Sequence, residues 1–127
     1  MRAKLALLAL VVLAPIPALA HHSFSAVFDS NQTLTIDGEV TKVEWTNPHI
    51  WVYVDVTDNQ GEIVSWQCEG GTPNSLRRLG WSSDTLQPGD QIQIEGWRAH
   101  DGSDSCNARV LIKDGRRLFA GSSFEEQ

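Results

Sequence analysis

The sequence predicts an all-β fold, a small OB-like five-stranded barrel with one short helix between its third and fourth strands. Three observations predict it. Apolar and polar residues alternate at period two in five separate stretches. Helix start and stop signals occur together only around 72–80, between the third and fourth of those stretches. The first stretch is long and changes phase partway, as a strand must when it bends to close a barrel. An open β-sandwich is the alternative architecture for the same pattern.

The first twenty residues stand apart from this fold. Met1 to Lys4 is a short basic segment, Leu5 to Leu13 is an unbroken apolar run, and Ala18-Leu19-Ala20 fits a signal-peptidase site. Residues 1–20 therefore read as a signal peptide, with the periplasm as the expected location. The apolar run is too short to span a bilayer comfortably, and no second one follows, so no membrane anchor is expected after processing. A single domain over 21–119 and a flexible acidic tail over 120–127 complete the expected organisation.

The formal net charge is −6, and loss of Arg2 and Lys4 with the signal peptide makes it more negative. An acidic exported chain repels phosphate backbones, so nucleic acid is excluded as a partner. The expected partner is a small ligand or an envelope protein.

Residues 21–28 form a lead-in offering Phe24, Val27 and Phe28 for packing, and Asp29 to Gln32 is a polar turn. In the first strand Leu34, Ile36 and Val40 alternate with polar residues, but Val43 and Trp45 sit in the opposite phase. A bulge between Gly38 and Lys42 repairs that slip. Thr46 to His49 is a turn, since Pro48 fixes its own φ and keeps Asn47 extended. The second strand places Ile50, Val52, Val54 and Val56 on one face and Trp51, Tyr53 and Asp55 on the other. Asp58 to Gly61 is a hairpin loop. The third strand, from Glu62, opposes Val64, Trp66 and Cys68 to Ile63, Ser65 and Gln67.

Thr72 suits a helix N-cap, Pro73 the first helical position and Gly80 the C-terminal stop, with Leu76 and Leu79 sharing a face. The fourth strand carries Ile92 and Ile94. The fifth starts near Asn107 and faces Ala108, Val110 and Ile112 the same way. Asp114-Gly115 is a tight-turn signal, after which Arg116 to Phe119 returns as a short sixth strand.

Cys68 and Cys106 are the only cysteines, and in an oxidising compartment an isolated pair reads as a disulfide. In an OB-type barrel the third and fifth strands run parallel. A bond from the end of one to a residue just before the other then needs strong stagger, and this favours the sandwich slightly.

Two constellations bear on function. Processing would expose His21, whose α-amine and ring Nδ1 chelate one metal ion, and a further imidazole completes a three-nitrogen site suited to Cu(II). His22, His49 and His100 are the candidates for that ligand. His49 falls in the loop after the first strand and His100 in the loop after the fourth, the pair of loops that flank an OB ligand face. The four histidines gather at one end if the lead-in folds that way, with copper as the cofactor candidate; the alternative is that His21-His22 is a solvated terminus, His49 a turn residue bonded to its neighbours and His100 an exposed loop residue. The second constellation is Trp51 and Tyr53 on the outer face of the second strand, with Trp45, Trp66 and Trp97 as candidate neighbours. Outward aromatics there suit a sugar ring or a protein surface; the alternative is that these rings pack under the lead-in or the C-terminal segment. Neither a nucleophile elbow nor a phosphate-binding loop is present, so the expectation is a non-enzymatic binding domain. A sugar- or protein-binding module and a structural envelope protein are the alternatives.

The start His21-His22-Ser23-Phe24, the run from Gly38 to His49 with its Val43-Glu44-Trp45-Thr46-Asn47-Pro48-His49 core, the Gly70-Gly71-Thr72-Pro73-Asn74 turn, Leu79-Gly80-Trp81 and the closing residues Asp114 to Gly121 carry a resemblance. Together they resemble a family of small exported proteobacterial proteins known as a domain of unknown function. The resemblance implies an exported single domain and supplies no activity, ligand or functional residue.

Overall fold

A computed structural model of the chain describes residues 24–121. Within them lie a short helix α1 (Phe24–Val27), strands β1 (Phe28–Glu44), β2 (Trp51–Thr57) and β3 (Ile63–Glu69), helix α2 (Pro73–Arg78), and strands β4 (Gln91–Ala99), β5 (Ser105–Lys113) and β6 (Arg116–Phe119). The fold is all-β. Its six strands form one sheet in the order β3-β2-β1-β4-β5-β6, and β3 also pairs with β5, which joins the first five strands into a ring. Every ladder is antiparallel except β3–β5.

β1 serves two partners because it bends. Its first half pairs with β4 as far as Glu39, and its second half pairs with β2 from Glu39 onward. At the crossing, a Cβ on Gly38 would lie 2.8 Å from the Asp55 carbonyl oxygen, so only glycine allows this approach. The phase slip seen in the sequence is a bulge at Thr41, where the register moves from Val40↔Val54 to Lys42↔Tyr53. The expected polar turn at Asp29–Gln32 lies inside β1. It bulges out of the β4 ladder, with the Asp29 carboxylate accepting from the Asn31 N–H (2.9 Å) and the Gln32 amide (2.8 Å).

A second bulge was not legible. Arg109 is the extra residue between Glu95↔Val110 and Gly96↔Ala108. It reverses the phase of β5, so Leu111 enters the core fully buried while Val110 and Ile112 are half-exposed. The expectation that Ala108, Val110 and Ile112 share a face therefore fails after Ala108. Gly96 is required beside this bulge, since a Cβ there would lie 1.9 Å from the Asn107 carbonyl oxygen.

The core is built from Val40, Ile50, Val52, Val54, Trp66, Ile94 and Leu111, with Leu76 and Trp81 added from α2 and the segment after it. Thr72 caps α2 by accepting from the Ser75 N–H (3.1 Å). At the other end the Trp81 N–H donates to the Leu76 carbonyl and the Gly80 N–H to the Arg77 carbonyl, each at 3.0 Å, with Gly80 at φ 91°. That is a Schellman arrangement, which turns Trp81 back onto Leu76. Leu79, expected to share the Leu76 face, is instead exposed, and Trp81 takes the buried place. Ala120 and Gly121, expected in the tail, are buried, and the Ala120 N–H donates to the Arg109 carbonyl (2.8 Å).

Cys68 and Cys106 form a disulfide. β5 begins two residues earlier than expected, at Ser105, so Cys68 and Cys106 are direct partners in the parallel ladder. The ladder is short, running only from Gln67↔Ser105 to Glu69↔Asn107. This is the stagger that reconciles parallel strands with a bond from the end of one to the start of the other. The bridge spans 38 residues of sequence and ties the ring at its closing seam. Reduction, or Cys68→Ala with Cys106→Ala, is expected to lower unfolding free energy by about 2–4 kcal/mol, measured by urea denaturation of the oxidised and altered chains. Equal midpoints would show that the seam holds without the bond.

Candidate functional site

The ladder registers line up one row of side chains across the outer face. Glu44 opposes Trp51, Trp51 opposes Glu69, Glu69 opposes Asn107, and Asn107 opposes Trp97. Directly opposed residues share a face, and the neighbours Val52, Cys68 and Cys106 are the buried ones, so this row points outward. Trp51 and Tyr53 thus lie on the outer face as expected, both half-buried. Of their candidate neighbours, Trp97 joins the row. Trp66 does not, because it is 8% exposed on the inner side, where the Arg98 guanidinium lies 4.9 Å from its ring centre. Trp45 packs partly into the core, under Arg77 at 5.6 Å, with its indole N–H buried and unbonded.

Tyr53 is committed to its neighbours. Its hydroxyl donates to the Glu44 carboxylate (3.1 Å), the Lys42 ammonium sits 5.1 Å over its ring, and Lys42 pairs with Glu44. Hydrogen bonds from Lys42 first and Tyr53 second hold the Glu44 carboxyl below its ordinary range. Burial first, then the hydrogen bond and charge of Glu44, push the Tyr53 phenol up from its ordinary value, with Lys42 opposing. Trp51 carries no such set of partners and is the more available ring.

His49 stands at the edge of this row, two residues before Trp51, half-buried. Its Nδ1 lies 3.0 Å from the Gly70 carbonyl oxygen and 3.6 Å from Glu69 Oε1. A carbonyl only accepts, so Nδ1 carries the proton and Nε2 is the lone-pair nitrogen of the neutral ring. The carrying loop is fixed on both sides, since the Ile50 N–H donates to the Gly71 carbonyl (3.0 Å) and the Gly70 N–H to the Ile50 carbonyl (2.9 Å). The Asn47–Pro48 bond in this loop is cis.

His100 is exposed and tied to the N-terminal helix. Its Nε2 donates to the Ser25 carbonyl (3.0 Å), its backbone N–H to the Val27 carbonyl (2.9 Å), and its Nδ1 is 3.9 Å from Asp29 Oδ2. α1 is further seated by Phe24, whose ring meets Trp97 edge-on at 5.1 Å.

The structure does not bring His49 and His100 together. β2 and β4 run in the same direction across the row, His49 precedes Trp51, and His100 follows Trp97. The two histidines therefore leave the row in opposite directions, on loops that lie beyond the ends of β2 and β4. The expected gathering of all four histidines at one end therefore fails for this pair, because the two loops leave the staggered ring on opposite sides of its seam. His21 and His22 lie outside the described residues. Among the described residues no group of three or more His, Cys, Asp or Glu side chains is arranged to hold a metal ion, and no helix is long and apolar enough to cross a membrane.

Glu69, Gly70 and Asn107 were missed as site residues. Glu69 and Asn107 carry no motif; Glu69 is placed beside Trp51 by the β2–β3 register, and Asn107 beside Glu69 by the β3–β5 register.

The chain belongs to a family of unknown function (DUF6152), whose model matches residues 9–108. The motifs from Gly38 to His49 and from Gly70 to Trp81 fall within that match, and the closing residues Asp114 to Gly121 fall beyond it. Comparison with curated proteins gives no match.

Tyr53 is the only tyrosine, so tyrosinate absorbance reads it alone. Its midpoint is expected above the ordinary value of about 10 and is expected to fall in Glu44→Gln. A raised phenol pKa favours the neutral form in the fold. The associated stability is present below the unfolded-state pKa and is lost as pH rises through the folded one. A midpoint at or below the ordinary value would contradict the burial and hydrogen bonding described.

Proposed function

We propose that the processed chain is an exported, periplasmic, non-enzymatic binding domain on an OB-like barrel, and that its ligand is a Cu(II) ion held by His21 and His49. The ring of five strands with a helix between β3 and β4 supports the barrel reading. In this reading His21 chelates through its α-amine and Nδ1, and His49 Nε2 supplies the third nitrogen.

The observation that carries the metal reading is the His49 Nδ1–H bond to the Gly70 carbonyl beside Glu69. Metal-ligating histidines typically donate their other ring N–H to a carbonyl or carboxylate, which orients the ring and makes the ligating nitrogen more basic. His49 Nδ1 donates to the Gly70 carbonyl, with the Glu69 carboxylate 3.6 Å away as a neighbouring charge. His100, by contrast, uses Nε2 to hold α1 and turns Nδ1 toward Asp29.

The pairing of His21 with His49 requires the residues ahead of Phe24, whose ring meets Trp97, to reach the His49–Glu69 edge.

A second reading is a sugar- or protein-binding module, favoured by the placing of Trp51 among Glu44, Glu69 and Asn107. It predicts ligand-dependent quenching of tryptophan fluorescence that disappears in Trp51→Ala.

The metal reading is tested by titrating protein that begins at His21 with Cu(II) and recording its paramagnetic resonance spectrum. Tight binding with nitrogen coupling is expected. His49→Ala, or one extra residue ahead of His21, should weaken it at least about tenfold, while His100→Ala leaves it within about threefold. Affinity indifferent to His49→Ala and to the N-terminal extension would sink the proposal.

A further inference from the structure

We infer that the pair Ala120–Gly121, just after β6, positions the His49 ring through a relay of backbone hydrogen bonds, which makes Gly70, Gly71 and Ala120 positioning residues for the ligand edge. The purpose of that positioning rests on the reading of His49 as a ligand. The relay itself belongs to the metal-free chain.

The relay can be followed bond by bond. The Ala120 N–H donates to the Arg109 carbonyl at the β5 bulge (2.8 Å), and the Ala120 carbonyl accepts from the Gly71 N–H (2.7 Å). The Gly71 carbonyl accepts from the Ile50 N–H (3.0 Å), and the Ile50 carbonyl accepts from the Gly70 N–H (2.9 Å). The Gly70 carbonyl accepts from His49 Nδ1 (3.0 Å). On the other side of the C-terminal segment, the Trp81 indole N–H donates to the Phe119 carbonyl (3.1 Å). Gly70, Gly71, Ala120 and Gly121 are all buried.

Packing leaves this relay little freedom. A Cβ on Gly71 would lie 2.6 Å from the Gly121 carbonyl oxygen, and one on Gly70 would lie 2.7 Å from Ile50 Cγ1 and 3.1 Å from the Ala120 carbonyl oxygen. The Gly121 and Ala120 obstacles are backbone atoms, which cannot swing aside as a long side chain does. Both glycines are thus needed for close approach, not for an unusual φ. A displacement of the C-terminal segment passes through Gly71 and Ile50 to Gly70, and so to the acceptor that orients His49. Ligand constellations tolerate only about 0.5 Å of such drift.

Nitrogen NMR and hydrogen exchange on the full processed chain test the inference without copper. In the unaltered protein His49 should read as the Nδ1–H tautomer. The amides of Ile50, Gly70, Gly71 and Ala120 should exchange as one cooperative unit. In Gly71→Ala the other His49 tautomer should appear, and Cu(II) affinity should fall about tenfold or more. Gly71 and Ala120 amides exchanging far faster than those of Ile50 and Gly70 would overturn the relay. So would a Gly71→Ala chain with an unchanged tautomer. The exchange measurement needs no variant and decides the matter even if Gly71→Ala does not fold. Absence of copper binding in the unaltered chain would end the metal reading alone, leaving the tautomer and exchange results to judge the relay.

Discussion

Closure of the ring depends on three residues of β3 meeting three of β5. Gln67, Cys68 and Glu69 pair with Ser105, Cys106 and Asn107, and the disulfide sits in the middle of that ladder. So short a parallel ladder supplies few hydrogen bonds, and the covalent link offsets this by limiting the unfolded ensemble over a 38-residue separation. The seam also fixes what lies on the outside. Cys68 and Cys106 point inward, so Glu69 and Asn107 must point outward, and they join Trp51 to Trp97 in one row. A slip of one residue at the seam would turn the shifted strand's cysteine outward while the other stays inward, which separates the pair and dismantles that row.

The bulges let a single sheet reach its own edge. Thr41 and Arg109 each add one residue to a strand, and each lies beside a place where the backbone approaches closely. Gly38 and Gly96 occupy those places, where a Cβ would meet carbonyl oxygens of β2 and β5. Bend and closure are therefore linked. Without the bend in β1, its two halves could not serve β4 and β2 in turn, and β3 would not be carried round to β5.

The strands and α2 were legible because their signals are local. Alternation from Ile50 to Val56 needs no partner to be recognised, and Thr72, Pro73 and Gly80 mark the helix ends through backbone chemistry alone. The Thr41 bulge was legible too, since apolar residues appear on both sides of the slip. The Arg109 bulge was hidden by the run Val110-Leu111-Ile112, in which every residue is apolar and either phase reads equally well. Leu79 was misplaced because Leu76 and Leu79 satisfy a helical face, while the Schellman turn at Gly80 substitutes Trp81. Ala120 looked like tail because burial by backbone partners leaves no trace in hydropathy. The separation of His49 from His100 comes from strand stagger, and no periodicity encodes stagger.

That separation gives the two histidines different work in the proposed site. Each donates a ring N–H to a backbone carbonyl, yet the carbonyls belong to different parts of the chain. His100 bonds to Ser25 and so fastens α1. Its remaining nitrogen faces Asp29 across 3.9 Å. His49 bonds to Gly70, and the Glu69 carboxylate lies 3.6 Å from that same nitrogen. A cation at Nε2 would then draw on the negative charge of Glu69 through a ring that need not turn to receive it. In the proposed site His49 would be the ligand, while His100 holds only to α1. The turn from Thr46 to His49, which connects β1 to β2, owes its chemical character to the residues it leans on, Glu69 and Gly70, at the end of β3.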